Sequence, residues 1–379
     1  MGKKKVLVPI FFDLICLFNL LTGIQGFQSS AQHLQQNVQQ GGLGLSKMFV
    51  FGDSYADTGN IGKSVSSSWK PPYGITFPGK PAGRFSDGRV LTDYLASFMG
   101  IKSPVTYKGR KMGRKTARYG MNFAYGGTGV FQTLVPEPNM TTQILFFQRI
   151  VHDNGLYTAA DIASSLALVS LAGNDYGAYY ARGGSAQGLP AFITSVINQL
   201  ALNLKQIHDM GVKKIAVTAL EPMGCLPQST VTSSYQQCNG SQNTAVNLHN
   251  LLMQQAVAKL NNETKDSAFH ILDLYGAFMS TFKTQGESKT SLSLSLSLSL
   301  INTSSDVGIC ICCVGIGILK PCCVGMKEEF SCGSVDERGV KQYTVCENPD
   351  SSFFWDDVHP SQSGWRFVYS ALQASLYQL

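Results

Sequence analysis

Charge is scarce in this 379-residue chain: 14% of its residues are Asp, Glu, Lys or Arg, against 44% hydrophobic. That balance excludes a disordered polyelectrolyte, because so apolar a chain buries enough surface to offset its ordering entropy. Downstream of the N-terminus no run of about 20 apolar residues occurs, so nothing there has the length of a membrane span. Histidine is sparse, six in all, and none stands at ligand spacing among the ten cysteines, which leaves a zinc site as the disfavoured reading. No metal or organic cofactor is expected. Net charge is +6 and falls to +4 once Lys3, Lys4, Lys5 and Asp13 of the leader are set aside. So mild a balance calls for no nucleic-acid partner.

What is present begins with a leader. Three lysines precede an apolar stretch over 6–24 and then small and polar residues, the layout of a secretory signal peptide over 1–30. Asp13 and Asn19 inside the stretch argue against the competing reading, a membrane anchor. A Gln-rich linker fills 31–45, and 46–379 is expected to form one domain. Sequons at Asn139, Asn239, Asn262 and Asn302 fit a glycosylating secretory route. Lys102, Lys108, Arg110, Lys111, Arg114, Lys115 and Arg118 form the densest basic cluster. A solvated loop is the expectation there, and attraction to acidic polysaccharide the alternative.

Residues 289–318 break the pattern. They alternate Ser and Leu and then carry Cys310, Cys312 and Cys313. An exposed amphipathic strand is one reading. The other, preferred here, is a low-complexity insertion or translated intron, since a CT dinucleotide repeat encodes Ser-Leu in some frames. Without that segment and Cys16 of the leader, six cysteines remain, an even number that a secreted chain would pair. Cys225 and Cys238 are the expected local bridge, whereas the adjacent Cys322 and Cys323 cannot readily bond to each other.

Short apolar runs at 48–51, 167–172, 214–219 and 269–274 read as buried strands, and 190–210, 235–260 and 362–376 have helical periodicity. Alternation of the two predicts an α/β fold with a central parallel sheet and helices on both faces. Ligands of such sheets lie beyond the carboxyl ends of the strands. There the sequence sets Gly52-Asp53-Ser54, Gly173-Asn174-Asp175 and Glu221-Pro222-Met223-Gly224.

Ser54 follows a strand on a turn, where a hydroxyl can face a crevice. A serine becomes a nucleophile when a base takes its proton. His33 falls in the linker, His152, His208 and His249 in helical stretches and His270 in a strand. His359, in Trp355-Asp356-Asp357-Val358-His359-Pro360, has a carboxylate three residues before it. Asp356 at that spacing can accept the Nδ1 proton and fix the tautomer. Hydrolysis also needs donors for the oxyanion. Gly126, in Asn122-Phe123-Ala124-Tyr125-Gly126-Gly127, offers a backbone N–H, and Asn174 a side-chain amide. A turn glycine and an Asx-turn residue are their alternative roles.

The blocks around Ser54 (followed by Asp57-Thr58-Gly59-Asn60), Gly126, Asn174 and His359, in that order along the chain, resemble the plant-type GDSL esterase/lipases of the SGNH hydrolase superfamily, over 46–288 and 319–379. The resemblance implies a flavodoxin-like three-layer α/β/α sandwich, with Ser54 as nucleophile, His359 as base and Asp356 as its orienter. It further implies Ser54, Gly126 and Asn174 as oxyanion donors. Tyr55 stands where the family usually has leucine, and a change in packing alone is expected from it. The expected function is a secreted serine hydrolase, extracellular or in the cell wall. It would cleave small-molecule, lipid or polysaccharide acyl esters through an acyl-enzyme. Acyl transfer by the same triad, or non-catalytic cell-wall binding on the same scaffold, are the alternatives.

Overall fold

In a computed structural model, residues 44–113, 115–152, 155–284 and 317–379 are described. The leader, most of the linker, Arg114, Asn302, the three extra cysteines and all but the last two residues of the Ser-Leu segment lie outside them. Ile318, the last residue of that segment, is buried in the core.

Strand β1, Lys47–Gly52, has the sequence KMFVFG and is buried from its second residue on. Met48 and Val50 point to one face of the sheet and Phe49 and Phe51 to the other, and all four are fully buried. An apolar run without polar alternation is what a strand covered on both faces requires. Next come α1 (Leu91–Phe98), β2 (Val105–Thr106), β3 (Gly120–Asn122), α2 (Met140–His152) and α3 (Ala159–Ala163). They are followed by β4 (Ser165–Ser170), α4 (Asn174–Ala181), α5 (Leu189–Asp209) and β5 (Lys214–Thr218). The short α6 (Pro227–Thr230), the long α7 (Gly240–Thr264) and β6 (Phe269–Leu272) lead to a helix through 274–284, α8. A two-stranded antiparallel ribbon, β7 (Cys323–Gly325) and β8 (Tyr343–Val345), precedes the last helix, α9 (Gln362–Leu376).

The six main strands are ordered β2-β3-β1-β4-β5-β6 and every pairing is parallel. Without the edge strand β2 this is the flavodoxin-like order, and its switch point falls between β1 and β4. Helices α2, α5 and α7 cover the face of Phe49 and Phe51 through Phe147, Ile193, Leu200 and Met253. Helices α1, α8 and α9 cover the opposite face through Leu91, Phe278, Trp365 and Val368. The result is a three-layer α/β/α sandwich, as expected. Each fully buried Phe or Leu contributes about 2–3 kcal/mol, and the aromatic contacts of Phe147 with Phe49, Phe51 and Phe123 add to that on one face.

Helix α7 begins five residues later than apolar periodicity predicts, for a local reason. Cys225 and Cys238 are bonded, which holds the chain in a loop up to Asn239, whose side chain then caps the Gln242 amide. The other four cysteines among the described residues pair as Cys322–Cys346 and Cys323–Cys332, so the neighbours at 322 and 323 bond in different directions.

Candidate active site

The turn after β1 is built around two buried carboxylates. Asp53 Oδ1 accepts the Tyr55 amide, while Oδ2 accepts the Ala172 amide and Nδ2 of Asn174 at 2.9 Å. This one side chain therefore ties the Ser54 turn to the loop after β4, across the switch point. Burial drives the Asp53 pKa up to about 7 despite the amide bonds that pull it down. Four residues later Asp57 gathers the amides of Gly59, Asn60 and Ile61 and, from the loop after β3, that of Gly126 at 3.0 Å. Its pKa is raised by burial to about 6. The Asp57-Thr58-Gly59-Asn60 run thus wraps a carboxylate instead of meeting solvent, and Asn60 Nδ2 continues outward to the carbonyls of Asn122 and Ala124.

Ser54 is 5% exposed, and its Oγ stands 2.9 Å from Nε2 of His359. The opposite ring nitrogen, Nδ1, is 2.8 and 2.9 Å from the two oxygens of Asp356. Asp356 Oδ1 also accepts the amides of Val358 and His359, and Oδ2 accepts the Tyr73 hydroxyl at 2.7 Å. Burial alone would raise the Asp356 pKa, but the His359 charge and these hydrogen bonds hold it below the ordinary carboxylate value. An ionised Asp356 accepts Nδ1–H, which leaves Nε2 free to accept from Ser54. The imidazole is held laterally as well: Phe85 stacks on it with centroids 4.9 Å apart, and Tyr55 meets its edge at 5.9 Å.

Two sequence expectations change here. Gly126 does not offer a free amide, because its N–H donates to Asp57. The next residue, Gly127, has φ +77°, and its amide has no acceptor among the described residues; neither has the amide of Ser54. Gly126 matters instead for closeness, since a Cβ there would lie 2.4 Å from the Phe85 ring that backs His359. Asn174 Nδ2 also donates to the Thr128 carbonyl at 3.0 Å, so an incoming oxyanion would exchange with that carbonyl. Tyr55 does more than pack: its hydroxyl donates to the carbonyl of Val358 at 3.0 Å, directly before His359. Tyr73 and Phe85 escaped sequence reasoning altogether.

Beneath Tyr55 lies Glu221, fully buried; the Tyr55 hydroxyl donates to Val358 instead, and lies close enough to Glu221 to favour its charged form only slightly. Burial first, and the Asp53 charge next, raise its pKa to about 8. Such an acid binds its proton more tightly folded than unfolded, so stability is full below the unfolded value near 4.5 and declines as pH rises to about 8. Glu221→Gln is therefore expected to unfold at the same temperature as the parent at pH 5 and at a higher one at pH 9. The difference is on the order of 4 kcal/mol, read by thermal denaturation at the two pH values. Equal shifts at both would refute a raised Glu221.

None of the other histidines among the described residues bonds Ser54. His208 bonds Asp266 at 2.7 Å, and His249 bonds the Tyr176 hydroxyl at 2.5 Å in the core. His152 ends α2 and His270 lies in β6. Of the sequons, Asn139 accepts from Thr142 at the start of α2, while Asn239 and Asn262 are exposed. In the basic cluster, Arg110 lies over Tyr107, Lys108 over Tyr125 and Arg118 over Tyr119. No group of three or more metal-ligating side chains occurs among the described residues, and no helix among them is long and apolar enough to cross a membrane.

Ser54, His359 and Asp356 thus stand in hydrogen-bonded series at the carboxyl end of a parallel sheet, an arrangement able to activate a hydroxyl as a nucleophile. Residues 48–372 match the model of the family described as GDSL-like Lipase/Acylhydrolase. Two relatives from Arabidopsis thaliana span nearly the whole chain. "GDSL esterase/lipase At5g03610" is 53% identical over 98% of this chain and 97% of its own length, and "GDSL esterase/lipase At3g09930" is 48% identical over 99% of each. The chain belongs to this GDSL family of carboxylic ester hydrolases.

Proposed function

We propose that the protein is a secreted serine esterase acting through an acyl-enzyme. Ser54 Oγ attacks the acyl carbon as its proton passes to His359 Nε2. The tetrahedral oxyanion takes N–H bonds from Ser54 and Gly127, and from Asn174 as it releases Thr128. Collapse breaks the bond to the alcohol, which leaves with the proton from His359. Water then gives a proton to His359 and attacks the acyl-enzyme, and collapse returns that proton to Ser54 and frees the acid. Asp356 stays ionised throughout and supports the imidazolium.

The 2.9 Å contact of Ser54 with an imidazole already oriented by a carboxylate carries this reading. Secretion is supported by the leader, the sequons and three disulfides, which persist in oxidising compartments. The test is a fluorophosphonate probe, which reacts with an activated serine whatever the substrate. A single adduct is expected on the Ser54 peptide, and none in Ser54→Ala. A correctly folded chain that remains unlabelled both with and without 289–318 would refute the proposal. Making the same chain without 289–318 shows whether that segment obstructs the base.

A further inference from the structure

We propose that Tyr55 is a positioning residue for the esterase reaction, its hydroxyl fixing the distance between Ser54 and His359 through the carbonyl of Val358. The inference rests on the esterase reading of Ser54. Tyr55 follows Ser54 in the chain, and Val358 precedes His359. The 3.0 Å bond between them therefore runs beside the 2.9 Å contact of Ser54 Oγ with Nε2 and joins the same two turns.

Both ends of this link are held. The Tyr55 amide donates to Asp53 Oδ1 at 3.0 Å. Its ring, 1% exposed, meets the fully buried Trp365 of α9 edge to face, with centroids 5.0 Å apart. A tyrosine has two side-chain torsions, and packing of this kind leaves neither free, so the ring acts as a spacer of fixed length. At the far end, the peptide group between Val358 and His359 is gripped on both sides. Its carbonyl accepts from Tyr55, and its N–H donates to Asp356 Oδ1 at 2.8 Å. The Cα of His359 lies in that peptide plane, so the plane aims the imidazole.

Other segments hold the same loop. Tyr73 donates to Asp356 Oδ2, Ser86 Oγ to the carbonyl of Pro360 at 3.1 Å, and the Gln228 amide to that of Asp357 at 2.9 Å. These three come from the chain between β1 and α1 and from α6, and they set where the loop lies in the fold. Tyr55 alone of the four moves with Ser54, and so sets where the loop lies relative to the attacking oxygen. Burial keeps the pKa of Glu221, beneath the ring, at about 8, so near pH 7 that carboxyl holds its proton and does not draw the hydroxyl from Val358.

Tyr55→Phe removes the hydroxyl and keeps the ring, and Tyr55→Leu removes both. Each is made in the chain that the fluorophosphonate labels, with or without 289–318. Misplacing a reacting group by about 1 Å costs roughly 10²-fold. For Tyr55→Phe, kcat on p-nitrophenyl acetate is expected to fall by roughly tenfold to a hundredfold with KM within about twofold, because Tyr55 is buried and holds the loop. The rate of fluorophosphonate labelling is expected to fall with kcat. One neutral hydrogen bond is a small part of stability, so the melting temperature stays within about 4 °C of the parent. A Tyr55→Phe enzyme with the parent's kcat overturns the inference, and an impaired Tyr55→Leu beside it assigns the effect to ring packing. A kcat that falls only together with the melting temperature, or a Tyr55→Phe chain that does not fold, overturns it too, since the hydroxyl would then hold the fold and not the base. Labelling of the parent separates the two failures. A labelled Ser54 with kcat unchanged in Tyr55→Phe removes the positioning role alone, and a Ser54 unlabelled in both parent chains removes the esterase reading beneath it.

Discussion

Asp356→Asn is expected to lower kcat on p-nitrophenyl acetate by roughly 10³-fold or more while the chain stays folded. The asparagine Oδ1 still accepts the amides of Val358 and His359, so the loop retains its shape. Its NH₂, however, now faces Nδ1 and the Tyr73 hydroxyl, where two donors meet an added donor. The imidazole escapes the clash by carrying its proton on Nε2, which then points a donor at Ser54 in place of a lone pair. Because Asp356 is held below the ordinary carboxylate range, the parent keeps its orienting charge as pH falls well into the acid range, and losing it by mutation has no counterpart in a mild pH change. Steady-state kinetics with thermal denaturation measure both halves. A kcat within tenfold of the parent, with an unchanged melting temperature, would show that Asp356 does not orient the base.

Gly52→Ala should act on folding instead of chemistry. Gly52 ends β1 at φ +143°, and a Cβ there would stand 1.8 Å from the Ser170 carbonyl oxygen, backbone that cannot move without parting β1 from β4. Both sides of its peptide group are also engaged, its N–H by Gln143 Oε1 and its carbonyl by Gln143 Nε2. Loss of more than about 4 kcal/mol is expected, seen as insoluble protein or as a melting temperature lower by about 8 °C or more. A variant that melts with the parent would mean that β1 and β4 can separate locally at small cost.

The parts of this molecule that were legible in its sequence are those whose physics is local. Strands β1, β4 and β5 announce themselves as largely apolar runs because both their faces are covered, and α9 is bounded by its Ser361 cap as periodicity predicts. Asp356 and His359 are three residues apart, so their pairing follows from chain geometry alone. Strands β2 and β3 are two and three residues long and carry no such run, and only the completed sheet gives them partners. The choice between Gly126 and Gly127 depends on Asp57 reaching across 69 positions, and the role of the Tyr55 hydroxyl on a carbonyl 303 positions away. No spacing rule covers contacts of that kind. Tyr73 stands 283 positions from the carboxylate it supports and was invisible for the same reason.

The hydrogen bond between Ser54 and His359 spans 305 positions of the chain. A ribosome adding about 5–20 residues per second needs roughly 15–60 seconds to travel that far. Throughout that interval Ser54 exists without His359. On the proposed esterase reading, ester hydrolysis waits until the last segment of the chain emerges.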